Sequence, residues 1–204
     1  DMQRIHRRIV LSETYCQSVH HPRHDDGITI DPRNLTHWHR GVRRLDAEQF
    51  RDSILAANGE LDFSIGGPSF EGNSPRRTVY MKRLRNTGDE MLRMLDTPTG
   101  IVGTAIRDVT ITPTQTLLLM NNDRIMTIAE KLAARVERDL ADQTRPGDHD
   151  FGVTYVRHLH YLLTFSHIDD DLAVEMGAVV SASPTGAVDV AHVLLNANAF
   201  LFIE

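Results

Sequence analysis

The sequence predicts a mainly α fold, an irregular helical array with at most a short β-ribbon. Apolar residues recur at three- and four-residue spacing in every long segment, which is the period of a helix buried on one face. Turn-forming residues gather in a few clusters, and Thr78-Val79-Tyr80-Met81 stands out as the best short strand candidate, placed for a small ribbon.

Taken in order, Ile5, Ile9 and Val10, with Tyr15 beyond them, share one helical face and Arg4, Arg7 and Arg8 the other, so 5–19 is expected to be helical. Pro22, Gly27 and Pro32 among charged and His residues make 20–32 a loop. Asp31 or Asn34 is placed to cap a following helix with Pro32 in its first turn. Its regular part is Leu45 to Ala57, where Leu45, Phe50, Ile54 and Leu55 form a stripe that ends at Gly59. Glu90 to Leu95 reads as one or two helical turns closed by Thr97-Pro98 and Gly100, and the β-branched content of 101–111 suggests extended chain. Thr112 then caps a long helix with Pro113 in its first turn, bent around Asn121-Asn122-Asp123 and carried by Leu117, Leu118, Ile125, Leu132 and Val136. After a loop at 143–150, the segments 153–164, 170–180 and 188–202 read as three helices, with a Ser-Ala-Ser-Pro turn between the last two.

Composition narrows the partners. At 204 residues, 41% hydrophobic and 25% charged, the chain has the makeup of a folded protein with one sizeable core or two small ones. Its formal charge of -6, with no Lys/Arg block free of acidic neighbours, lacks the electrostatic footprint of a nucleic-acid binder. Apolar runs such as Leu117–Met120 and Gly177–Val180 fall far short of the ~20 residues of a membrane span. Cys16 is alone, which excludes an internal disulfide and a haem attachment of the C-x-x-C-H type. The opening Asp1-Met2-Gln3-Arg4 falls directly inside an amphipathic pattern, so the chain reads as one helical domain, 1–204, cut from a longer protein. A subdivision into 1–142 and 151–204 is compatible with the second loop.

Three constellations invite a chemical reading. His20-His21-x-x-His24 with His37-x-His39 could gather imidazoles around a metal, but no carboxylate is placed as in H-E-x-x-H and a solvated loop explains them more simply, so no metal site is expected. Gly66-Gly67-Pro68-Ser69 has no Lys at P-loop spacing and is read as a tight turn, and no nucleophile elbow is present. The densest charge cluster runs from Arg43 to Asp52. On a helix Arg44, Glu48, Arg51 and Asp52 share a face and form a ladder of ion pairs. If that face meets the Arg76-Arg77-x-x-Tyr80 segment, Arg44, Glu48, Arg51, Asp52, Arg77 and Tyr80 make a polar cleft for an anionic or polyhydroxyl ligand. The alternative is a buried network that fixes the helix in place.

Several stretches together resemble a known family. They are Ile5-His6-Arg7-Arg8-Ile9-Val10-Leu11-Ser12 with Thr14-Tyr15 and Gln17-Ser18, Asp31-Pro32 with Asn34, and Arg43-Arg44-Leu45-Asp46-Ala47-Glu48 through Arg51-Asp52. Gly66-Gly67-Pro68, Arg76-Arg77-x-Val79-Tyr80, Asp96-x-Pro98, Thr112-Pro113-x-Gln115, Leu118-x-x-Asn121-Asn122 and the terminal Asp189 to Leu201 follow in family order. The chain is thus similar to the planctomycete-specific domain of unknown function found at the C-terminal end of large proteins that often carry a cytochrome c module. Two departures stand out: Cys16 replaces a usual Arg, and Thr164-Phe165-Ser166-His167 replaces a usual Leu-Gly-Arg-Pro.

The resemblance implies an exported bacterial protein, acting in the periplasm or at the cell surface. Haem c would sit elsewhere in the parent, none in this domain, and the parent's N-terminal domains would be the packing partners. Two functions follow as expectations. One is a non-catalytic helical domain that supports intramolecular assembly or ligand binding. The other is part of an enzyme of oxidative or hydrolytic polysaccharide metabolism, coupled to the cytochrome module.

Overall fold

The structure is a computed structural model that describes residues 1–83, 89–98, 107, 110, 112–141 and 151–203, and helices dominate it as expected. The chain divides into two compact units, Asp1–Arg44 with Phe202–Glu204, and Leu45–Leu201.

In the first unit α1 (Met2–Val10) is capped by Asp1, whose carboxylate accepts from the Gln3 N–H. The helix stops well before the expected residue 19. Ser12 ends it: its hydroxyl donates to Ile9 O and accepts from Tyr15 N, offering the backbone an alternative to the next helical turn. Where a loop was expected, α2 (His24–Ile30) forms. Gly27 lies inside it because the Trp38 ring packs there; a Cβ on Gly27 would stand 2.5 Å from ring carbons. Asp31 terminates α2 instead of starting another helix, and its carboxylate is committed to Thr36, accepting from N and Oγ1 at 2.8 Å each. The unit closes with β1 (Arg43–Arg44), antiparallel to β2 (Phe202–Ile203).

The second unit begins with α3 (Ala47–Ala57), opened by a capping box of Asp46 and Gln49. Phe50, Ile54 and Ala57 bury one stripe of it, as the apolar spacing required. Among the described residues the ribbon expected near Thr78–Met81 is not formed: Thr78–Tyr80 is a single 3-10 turn, and pairing around it is limited to isolated bridges, Asp62 with Arg76 and Phe70 with Met81. The reason lies outside the segment. The Thr78 N–H donates to the Asp52 carboxylate at 2.8 Å, so a side chain of α3 takes the place a neighbouring strand would fill.

The helix α4 (Glu90–Met94) is capped by Asp89. Apart from Arg107 and Thr110, the expected extended stretch 101–111 lies outside the described residues, as does the expected loop 143–150. Thr112 and Gln115 form a capping box for α5 (Pro113–Asn121), and the expected bend is a full break at Asn122, which caps α6 (Asp123–Leu140). Three further helices, α7 (Phe151–Thr164), α8 (Asp170–Ala182) and α9 (Gly186–Leu195), complete the body with the short α10 (Asn198–Leu201). Along α6, Ile125, Ala129, Leu132, Val136 and Leu140 are fully buried at helical spacing. Each large one of these side chains contributes roughly 1.5–3 kcal/mol. The backbones of α7 and α8 come together at Gly152 and Gly177: a Cβ on Gly152 would stand 2.2 Å from Gly177 O. Leu194, Leu195 and Phe200 are buried, with Phe200 against Phe50 at 5.5 Å between ring centres, and Leu201 is half-buried.

Candidate functional site

Glu48, Arg51 and Asp52 project from α3 at the three- and four-residue spacing the sequence shows, but they do different things. Arg51 points inward and is only 2% exposed. Its guanidinium donates to Arg76 O and Thr78 Oγ1 at 3.0 Å each and to Ser74 O, stands 3.6 Å from Asp52 Oδ1, and lies 5.5 Å above the Phe70 ring. Burial pulls its pKa below the ordinary value, against the opposing pull of Asp52. The Thr78 hydroxyl accepts from Arg51 and donates to Asp52 Oδ1 at 2.6 Å, so one side chain joins the buried cation to the carboxylate beside it.

Glu48 faces a different partner set. Arg107 grips it with two parallel bonds, 2.7 Å to Oε2 and 3.1 Å to Oε1, and Arg83 adds a third at 3.3 Å. Desolvation pushes the Glu48 pKa up, but the bond and charge of Arg107, helped by Arg83, outweigh it and hold the carboxyl below its usual range. Glu48, Asp52, Arg77, Arg83 and Arg107 line an open cleft of about 740 Å³. Its wall includes Phe63 and Val79, both 71% exposed.

Of the residues expected in a polar cleft, Glu48, Asp52 and Arg77 meet on this lining and Arg51 is sealed away from solvent. Tyr80 turns elsewhere: its ring stacks under the Arg76 guanidinium at 4.4 Å, and its hydroxyl accepts from Gly66 N at 3.0 Å. Arg44 does not stand on the helical face at all. The Asp46 capping box starts α3 at Ala47, which leaves Arg44 extended on β1, in the first unit. Arg83, Arg107 and Phe63 were not anticipated, because nothing in the sequence marks pairs separated by 35 and 59 residues.

The histidines of the first unit surround an aromatic ring: His21, His24 and His39 lie 5.6, 5.6 and 4.2 Å from Trp38 between ring centres. Among the described residues, no group of three or more His, Cys, Asp or Glu side chains is arranged to hold a metal ion. No helix among them is long and apolar enough to cross a membrane.

Comparison with known proteins places the chain in a family. The model of a family described as PSD1, protein of unknown function (DUF1553), covers residues 1–171. The terminal stretch Asp189 to Leu201, which contributed to the resemblance in sequence, lies beyond the matched residues. No curated protein matches the chain, and no solved structure does.

Proposed function

The chain belongs to the PSD1 family of proteins of unknown function, and we propose that its Leu45–Leu201 unit is a ligand-binding module whose cleft takes a hydroxyl-rich ligand, a segment of a glycan. The observation that carries this reading is the bare Phe63 ring in the same cleft as fixed carboxylate–guanidinium pairs. A sugar ring has an apolar face of C–H groups that rests on an aromatic surface, and a rim of hydroxyls that exchange hydrogen bonds with charged groups. Glu48 and Arg107 already hold one another in place, so less side-chain freedom is lost when a ligand arrives. The volume falls within the usual range for small-ligand sites, about 300–1,000 Å³.

The reading is one of binding, since neither cleft carboxyl is set up as a general acid. A general acid needs a carboxyl whose pKa is raised, whereas Glu48 is held ionised and the Asp52 Oδ1 is occupied by Thr78. The family resemblance supports an extracytoplasmic setting, with this unit packed against N-terminal domains of a larger chain that holds haem c elsewhere.

Isothermal titration of the chain with a panel of oligosaccharides tests the proposal. We expect binding at about millimolar Kd or tighter for at least one member of the panel. Phe63→Ala should weaken it at least about tenfold while leaving the melting temperature unchanged, since the ring is solvent-exposed. Absence of binding across the panel, or full affinity in Phe63→Ala, would refute the reading.

A further inference from the structure

Three cleft arginines face solvent, and two of them are engaged. Arg83 and Arg107 donate to Glu48, whereas Arg77 has no side-chain hydrogen bond among the described residues. Its side chain is 52% exposed, and the nearest carboxylate oxygen, Asp52 Oδ2, stands 3.9 Å from Nε, too far for a hydrogen bond. The other Asp52 oxygen is held by the Thr78 N–H and hydroxyl and stands 3.6 Å from Arg51. A guanidinium is a rigid fork of five N–H donors, matched to a group that offers two acceptor oxygens side by side.

The surrounding charge permits an anion to enter. The lining places Asp46, Glu48 and Asp52 against Arg77, Arg83 and Arg107, and the Arg51 cation lies buried behind Asp52. In a chain of formal net charge -6 the cleft is therefore close to neutral, with Arg77 as its accessible positive point.

We infer that Arg77 determines specificity in this cleft and that the glycan bound there carries an anionic substituent, a uronate carboxylate or a sulfate ester. The inference rests on the glycan reading of the cleft. The substituent takes two charge-assisted hydrogen bonds from Arg77 while the sugar ring covers Phe63.

Titration calorimetry with three probes decides it: trigalacturonate, its fully methyl-esterified counterpart, and a sulfated galactan oligosaccharide of similar length. At least one anionic probe should bind about tenfold or more tightly than the ester. Arg77→Gln should reduce that preference to near parity by weakening the anionic probe far more than the neutral ester, a pattern that a merely structural role for Arg77 would not produce. Arg77→Lys, which keeps the charge without the fork, should fall between them. The arm that wins names the substituent. Equal binding of all three probes, or undiminished anionic preference in Arg77→Gln, overturns the inference and leaves the glycan cleft standing. Failure of every probe to bind overturns both.

Discussion

Replacing Arg51 with Met keeps an unbranched apolar stem beside Phe70 while removing the guanidinium that donates to Ser74 O, Arg76 O and Thr78 Oγ1. Stranding a buried acceptor costs about 1–3 kcal/mol, and removing one member of a buried ion pair costs about 3–5 kcal/mol. The terms overlap here. Thr78 keeps its bond to Asp52, and Asp52, with a side chain 21% exposed, recovers some hydration once its cation is gone. We therefore expect a net loss of about 4 kcal/mol, which for a protein of this size lowers the melting temperature by roughly 8–16 °C. Arg51→Lys preserves the charge but can reach fewer acceptors, and should lose about half as much. Urea unfolding followed by circular dichroism at 222 nm measures both, with the denaturant slope as a check that the unfolding transition itself is unchanged. A loss under about 1 kcal/mol for Arg51→Met would refute the claim that this guanidinium holds the 74–78 segment to α3.

Further outcomes follow from other sites. Glu48 titrates lower in the folded chain than in the unfolded one, so its ionic contribution is fully present above about pH 4.3 and is lost as the pH falls through its folded value. The melting-temperature gap between wild type and Glu48→Gln, about 1 kcal/mol or less in stability, should accordingly be widest near neutral pH and close in acid, as thermal scans across pH will show. Gly152→Ala gains about 1 kcal/mol of helix propensity but drives a Cβ to 2.2 Å from Gly177 O, so net destabilisation of about 2 kcal/mol is expected in a thermal melt. Gly27→Ala should displace the ring of Trp38, the chain's only tryptophan, and shift its emission with little change in helical dichroism; unchanged emission would show that the ring does not depend on Gly27.

How much of this was legible depended on the range of the interactions. Helices with an apolar stripe were readable, and at Thr112 so was the cap, because both signals lie within a few residues of one another; the caps at Asp46 and Asn122 were not anticipated. The β-branched content of Thr78-Val79-Tyr80 misled, because the backbone there answers to Asp52, 26 residues earlier. Arg44 was misplaced for a related reason: helical spacing counts residues without knowing where the cap falls. Two separated family motifs, Asp96-x-Pro98 and Thr112-Pro113-x-Gln115, do meet in space, with Gln115 Nε2 donating to Asp96 Oδ1 at 2.9 Å. The resemblance sets the two stretches in family order, and the fold shows the bond between them. In the cleft, the α3 carboxylates could be read from local spacing, while their arginine partners could not.

The pairing of Arg43–Arg44 with Phe202–Ile203 has a topological cost that the rest of the chain offsets. Leu45 N donates to Leu201 O at 2.8 Å, so the whole helical body leaves and returns at a single point. Were that body a disordered loop, bringing its ends together would cost about 4–5 kcal/mol of chain entropy, more than two paired residues per strand could recover. The ribbon can therefore persist only while the body between its strands is folded. Melting the helices of Leu45–Leu201 should release β2 in the same transition, although β2 belongs to the other unit.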